Sequence, residues 1–368
     1  MENPFVFGKA VTGKDFIDRE RELEELRSSL LSGQNVLLFS PRKMGKTSLI
    51  LELFRRMKGV TCIYIDMWRI TSIHALSREL VNSVIRSTYR SVERILAEIG
   101  DILKTVRPRL SIDADGRVSV DLERSESDIS IAEALDFPER IATRKKRRMI
   151  VAFDEFQEIE SLGGIKLEKL MRSIIQHHKK VSYIFAGSRY SLIKTIFGRK
   201  DRPFYMFAKQ IKLKPIDRDV LIDFIIRRFE ETGKRISRST AEWIVDLCRG
   251  IPHNIQHLCH ELWYETREDA DLDLAKDVLY RKVIPSLDDG FQMIWNRIGS
   301  REQRKLLIAL ANETNPKVYS KEFIERYDLK TPSHVEKALK TLEESGLVEG
   351  NNIQDPFFEE WIRTRFVV

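Results

Sequence analysis

The fourteen residues from Asn35 to Ser48, NVLLFSPRKMGKTS, constrain the fold of this 368-residue chain more than any other stretch. Val36, Leu37, Leu38 and Phe39 form a short apolar run that reads as a buried strand. The run stops at Ser40-Pro41, and Gly45-Lys46-Thr47 then opens a helical pattern carried by Leu49, Ile50, Leu51, Leu53 and Phe54. Strand, tight loop, and a helix with Gly-Lys-Thr in its first turn make a loop that cradles phosphates. Backbone N–H groups wrap the phosphates, and the helix N-terminus adds positive potential. Gly45 lets the backbone come close, Lys46 neutralises the outer phosphates, and the Thr47 hydroxyl ligates magnesium. Ser40 stands where the signature has glycine, keeping a small residue in the turn. The nucleotide-binding set is Ser40, Pro41, Arg42, Met44, Gly45, Lys46, Thr47 and Ser48.

A second apolar run, Met149 to Phe153, ends in Asp154-Glu155. Both carboxylates then sit at the C-terminal edge of a strand, where open α/β sheets bind ligands. Asp154 is placed to hold the magnesium and Glu155 to polarise the water attacking the γ-phosphate. A further run ends in Gly187-Ser188-Arg189. Ser188 orients the attacking water and Arg189 senses the γ-phosphate, or else Ser188 caps a helix and Arg189 is a surface residue. Arg199 and Arg202 admit a similar pair of readings, an arginine finger for a neighbouring subunit or two surface arginines. Ile17 as an apolar wall and Arg19 as an anchor are placed to back the adenine base, with Asp18 as a helix N-cap. His253, His257 and His260 share a helical face, but no carboxylate or thiol set completes a zinc site around them. Packing, or a nucleotide contact by His253, suits them better.

Five apolar runs (35–40, 60–66, 149–154, 181–186 and 210–213) alternate with helical patterns, as in an α/β domain with a parallel sheet. Within the insertion between the second and third runs, 75–105 reads as helix, and 109–122 as a β-hairpin turning at Asp115-Gly116. From 217 to about 299 the pattern is purely helical, broken at Gly250-Ile251-Pro252. Three helices (301–312, 318–327 and 332–345) and two short extended pieces follow, the pattern of a winged helix. The expected domains are a core over 1–214 with an insertion at about 75–145, a helical lid over 215–299, and a winged helix over 300–368.

No apolar run reaches membrane-spanning length, and the N-terminus carries no signal-peptide pattern, so a soluble cytoplasmic protein is expected. Cys62, Cys248 and Cys259 lack metal-ligand spacing and read as buried thiols. The net charge of +7 lies before the winged helix. From Arg301 onward 11 Lys/Arg stand against 12 Asp/Glu, leaving 52 against 44 upstream. The densest cluster, Arg144 to Arg148, reads as a solvated helix end in preference to a binding patch.

Taken in order, Phe-Ile-Asp-Arg-Glu (16–20), Ser-Pro-Arg-x-x-Gly-Lys-Thr-Ser (40–48), Phe-Asp-Glu-Phe-Gln-Glu-Ile (153–159), Phe-Ala-Gly-Ser (185–188), Arg-Pro-Phe-Tyr (202–205), Gly-Ile-Pro-His (250–253) and Asp-Pro-Phe-Phe-Glu-Glu-Trp (355–361) resemble the archaeal ATPase family of the AAA+/STAND branch of P-loop proteins. The resemblance spans nearly the whole chain. It implies a five-stranded P-loop sheet of order 5-1-4-3-2, a helical lid and a C-terminal winged helix. It implies ATP and Mg2+ as cofactors, with Lys46 and Thr47 on phosphate and metal. Asp154 and Glu155 become the hydrolytic pair and Ser188 the first sensor. Pro252 opens the lid helix placed against the nucleotide, and no lid arginine stands at Pro252-His253-Asn254.

These readings point to a Mg-dependent ATPase acting as a nucleotide-driven switch. ATP and ADP are its ligands, and duplex DNA a partner through the basic ATPase half and the winged helix. The alternative is a protein-interaction scaffold that uses ATP structurally. The candidate recognition helix carries His334, Lys337, Lys340 and Thr341 against Glu336, Glu343 and Glu344, a poor charge balance for autonomous DNA binding.

Overall fold

A computed structural model describes residues 2–89, 108–112, 118–122 and 130–366. The chain divides into two compact units, Ala10–Lys214 and a second made of Met1–Lys9 with Pro215–Val368.

The first unit is built on five parallel strands: β1 (Val36–Phe39), β2 (Thr61–Asp66), β5 (Met149–Asp154), β6 (Val181–Gly187) and β7 (Lys209–Lys212). Their order is β2-β5-β6-β1-β7, which is the order implied above. Burial explains the placement. Every residue of β5 and β6 is buried, as central strands covered on both faces require, while β2 alternates and β7 is mostly exposed, as edges do. Phe153, Phe156, Phe185, Phe197 and Phe204 pack as tilted and stacked rings behind the sheet. Leu37 to Phe39 pair with Phe185 to Gly187, and Phe153 pairs with Phe185. The register therefore brings the C-terminal ends of β1, β5 and β6 side by side.

In the insertion, β3 (Pro108–Ile112) and β4 (Val118–Leu122) pair antiparallel, while the expected turn at Asp115-Gly116 lies outside the described residues. The helix expected over 75–105 runs from Ile73 to Thr88 and stops where Tyr89 turns extended; residues 90–107 lie outside the described residues.

The second unit is not purely helical before residue 299. A two-residue parallel bridge joins β8 (Arg235–Ile236) to β9 (Asp269–Ala270) between helices Arg218–Glu230, Arg238–Leu247, Pro252–Glu265 and Leu272–Val278. Helices Arg301–Asn312, Lys321–Arg326 and Pro332–Glu344, with a wing of β10 (Val348–Glu349) and β11 (Asn352–Ile353), form the winged helix. A helix absent from the sequence reading, Pro356–Arg365, follows. Asp355 caps it through the Phe357 N–H, and it buries Phe357, Phe358, Trp361 and Ile362. The Trp361 indole donates to Asp288 at 2.6 Å, and Arg249 donates to the Ile353 carbonyl at 2.7 Å and to Glu359. These bonds fasten the winged helix to the mainly helical segment before residue 299 within one unit.

Residues 3–7 are part of this unit. Asn3 donates to the His260 carbonyl, the Val6 N–H to Gln256, and Phe5 packs against Phe224 and Phe229. Phe7 stacks on His257 at 4.1 Å with His253 and His260 edge-on, so the three histidines surround an aromatic ring. Among the described residues no helix is long and apolar enough to cross a membrane.

Candidate nucleotide site

The loop after β1 closes on itself. Lys43 and Gly45 both take positive φ, 68° and 86°, and helix Lys46–Arg56 starts at once. Glycine suits that conformation, and a Cβ built on Gly45 meets no atom within 4 Å, so the loop leaves open space above its turn. Lys46 is 6% exposed, and its ammonium donates to the Ser40 carbonyl (3.0 Å), the Ser40 hydroxyl (3.3 Å) and the Pro41 carbonyl (3.2 Å). Burial pushes this lysine below its usual range, against the opposing pull of Glu155 and Asp154. Ser48 accepts the Val11 N–H at 3.1 Å, tying residue 11 to the loop helix. Arg42 is exposed and Met44 buried.

Asp154, 2% exposed at the end of β5, is the hub of the site. Its Oδ2 accepts the Thr47 hydroxyl at 2.6 Å and the Tyr64 hydroxyl at 2.9 Å, while Oδ1 accepts the Glu155 N–H at 3.0 Å. Burial first, and then the Asp154 charge, push the Tyr64 phenol up, which keeps it a neutral donor. Glu155 adopts a left-handed φ of 51°, uncommon for a residue with a side chain. Its Oε2 accepts the Ser188 hydroxyl at 2.7 Å and the Gln157 amide. Gln157 is 1% exposed, and its other amide atom, Oε1, has no protein partner. Gly187 accounts for its placement: a Cβ there would lie 2.7 Å from Gln157 Oε1 and 2.4 Å from Ile193 Cδ1. Sequence reading passed over Tyr64 and Gln157.

Other expectations are relocated. Ile17 is buried, but Arg19, not Asp18, occupies the N-cap of helix Glu20–Leu31, because Asp18 and Arg19 both take positive φ. The Arg19 guanidinium donates to the carbonyls of Met44 (3.2 Å) and Lys214 (2.8 Å), bracing the loop. Likewise Arg189, exposed and extended, is the N-cap of helix Tyr190–Gly198 in place of Ser188. Arg202 is no surface arginine. Its side chain is 8% exposed and is held by Glu160 and the fully buried Glu168. Arg199 pairs with Asp201 in the open. Pro252 and His253 belong to the second unit, at the first turn of its helix 252–265.

The donor set fits magnesium and a nucleotide. Thr47 and Asp154 offer paired hard oxygens, as Mg2+ prefers, and Lys46 is a desolvated cation beside an open loop.

No curated protein matches the chain. Solved structures share the fold. A Walker-type ATPase of Pyrococcus abyssi is 21% identical, with 98% of this chain and 99% of that one covered at a TM-score of 0.71. The ORC2 protein of Aeropyrum pernix, in ADPNP–ADP complexes, is 15% identical, with 96% of each chain covered at 0.59. The ORC1 protein of Aeropyrum pernix, in complex with DNA, is 13% identical, with 95% and 93% covered at 0.51. A family described as a probable winged helix domain matches residues 289–364. The family described as an ATPase domain predominantly from Archaea matches residues 16–258. With that match over most of its length, carrying nucleotide binding with it, the chain belongs to this archaeal ATPase family.

Proposed function

We propose that this protein binds ATP with Mg2+, hydrolyses it slowly, and uses the nucleotide state to reposition its lid and winged helix. The observation that carries the reading is the convergence on one sheet edge of Lys46, the Thr47–Asp154 pair and Glu155. In this reading the loop N–H groups and Lys46 bind the phosphates, and Thr47 and Asp154 hold the metal. Bound magnesium supplies charge neutralisation on the phosphate oxygens. Glu155, fixed by Ser188 and Gln157, accepts a proton from water. Ser188 and Arg189 also stand at the end of β6, as required of residues sensing the γ-phosphate.

Glu155→Gln tests this. Turnover should fall about a hundredfold or more, while binding of a fluorescent ATP analogue persists. Equal hydrolysis by variant and wild type would refute the assignment of Glu155. No hydrolysis by either, with binding intact, would favour the scaffold reading. One observation supports a protein partner for the winged helix: its outer helix exposes Lys337 and Lys340 beside Glu336, Glu343 and Glu344. Duplex DNA remains part of the proposed output through the basic ATPase half.

A further inference from the structure

The basic cluster before β5 is not an isolated helix end. Thr61 donates its N–H to the Arg148 carbonyl at 3.0 Å, Met149 to the Lys180 carbonyl at 3.0 Å, and Arg147 Nε to the Gly59 carbonyl at 2.9 Å. These bonds set Lys58, Lys146-Arg147-Arg148 and Lys179-Lys180 side by side at the starts of β2, β5 and β6, three neighbouring strands. All six side chains are exposed, and among the described residues no ion pair joins any of them to a carboxylate. Glu139, the carboxylate at this edge, accepts the backbone N–H groups of Lys179, Lys180 and Val181. Asp136 lies 3.8 Å from His178. The row occupies the edge of the sheet opposite to the nucleotide site.

We propose that this N-terminal sheet edge is a docking surface for the phosphate backbone of nucleic acid. Strands spaced ~4.8 Å apart spread the six cations over roughly 10 Å, enough for about three phosphates of one strand. The charges stand in the short loops that lead into β2, β5 and β6, and the bonds from Thr61, Met149 and Arg147 already tie the backbone there, so little of it must be ordered on binding. None of the large exposed apolar side chains lies in the row, which argues against a membrane surface, where apolar insertion accompanies basic charge. Among the described residues the row itself carries no aromatic side chain to stack on bases, so the surface positions nucleic acid without sequence preference. This placement deepens the DNA part of the proposed function and does not depend on ATP turnover.

The test is fluorescence anisotropy of a labelled 20-base-pair duplex with the full chain, over a salt series. Combining Arg147→Ala, Arg148→Ala, Lys179→Ala and Lys180→Ala should weaken binding about tenfold or more and flatten the salt slope by roughly 3, with the folded state and ATP turnover retained. Lys337→Ala with Lys340→Ala should leave binding near wild type. Should the fourfold variant fail to fold, the two adjacent pairs replaced separately should each flatten the slope by about 1.5, half of that change. Loss only in the winged-helix variant would overturn the placement and keep DNA as a partner. Wild type that binds phosphatidylserine vesicles but no duplex, or neither, would overturn the proposal together with the DNA output. ATP turnover on the same sample judges the enzyme reading separately.

Discussion

Tyr64 on β2 and Asp154 on β5 share a hydrogen bond of 2.9 Å, made to the same carboxylate oxygen that Thr47 engages at 2.6 Å. Two hydroxyls from different elements thus aim one oxygen. Partners of this kind fix the orientation of a metal ligand.

Tyr64→Phe removes one donor and keeps the ring. The magnesium concentration for half-maximal ATP turnover should rise about tenfold, with the folded state intact by circular dichroism. An unchanged magnesium dependence would mean that Tyr64 plays no part in orienting Asp154.

Gln157→Met keeps the buried volume and deletes the amide that donates to Glu155. The expected result is a roughly tenfold lower kcat with ATP affinity preserved. In a Glu155→Gln background the same change should cost nothing more. A further loss there would show that Gln157 supports the fold and not the glutamate.

Arg202 and Arg199 should separate cleanly in a thermal melt. Arg202→Ala strips the partner from Glu168, whose side chain has no exposed surface and whose carboxyl burial already pushes up. Leaving such a charge unpaired costs about 3–5 kcal/mol, lowering the melting point by roughly 10 °C. Arg199→Ala breaks an open pair with Asp201 and should leave the melt unmoved. Equal effects of the two changes would contradict the buried ion pair.

Glu52 on the loop helix has no exposed side-chain surface and is held by Arg55, Arg56 and the Gly13 N–H. Arg55 first, with the Gly13 N–H and Arg56, lowers its carboxyl from 4.5 to about 2. A depressed folded value means that the stabilisation is full above pH 4.5 and disappears as pH falls towards 2. Glu52→Gln should therefore cost about 2 kcal/mol at pH 7, a shift reduced from its full worth by the half-exposed arginines. Near pH 2 variant and wild type should melt together. A gap that persists there would place the effect elsewhere.

The parts of the site written as continuous patterns were legible: a short apolar run with Gly-Lys-Thr, and a longer run ending in Asp-Glu. Residues that act through pairing across strands were not. Tyr64 in VTCIYID reads as an ordinary edge-strand residue until β2 is paired with β5, and Gln157 reads as part of a polar turn. The strand order came with the family resemblance, since five apolar runs alone do not dictate their neighbours. Helix Pro356–Arg365 was legible in principle, with a start signal in Asp355-Pro356 and an apolar pair repeated four residues on (Phe357-Phe358, Trp361-Ile362), but a stretch so short and so close to the wing was passed over. Nothing local marks residues 3–7 as belonging with residues 224–260, because their partners lie more than 200 positions away.

That separation has a consequence for how the protein is made. Phe5 and Phe7 are made before the helices that receive them, which follow the whole ATPase unit, Ala10–Lys214. At about 5–20 residues per second, those rings wait roughly 10–50 s for their partners. The ATPase unit can fold in that interval, and a folded body then replaces the long coil that separates the two segments of the second unit. The entropic cost of joining residues 250 positions apart, as Val6 and Gln256 are, then falls far below that of an open coil. A first unit that folds early thereby shortens the search by which the second closes.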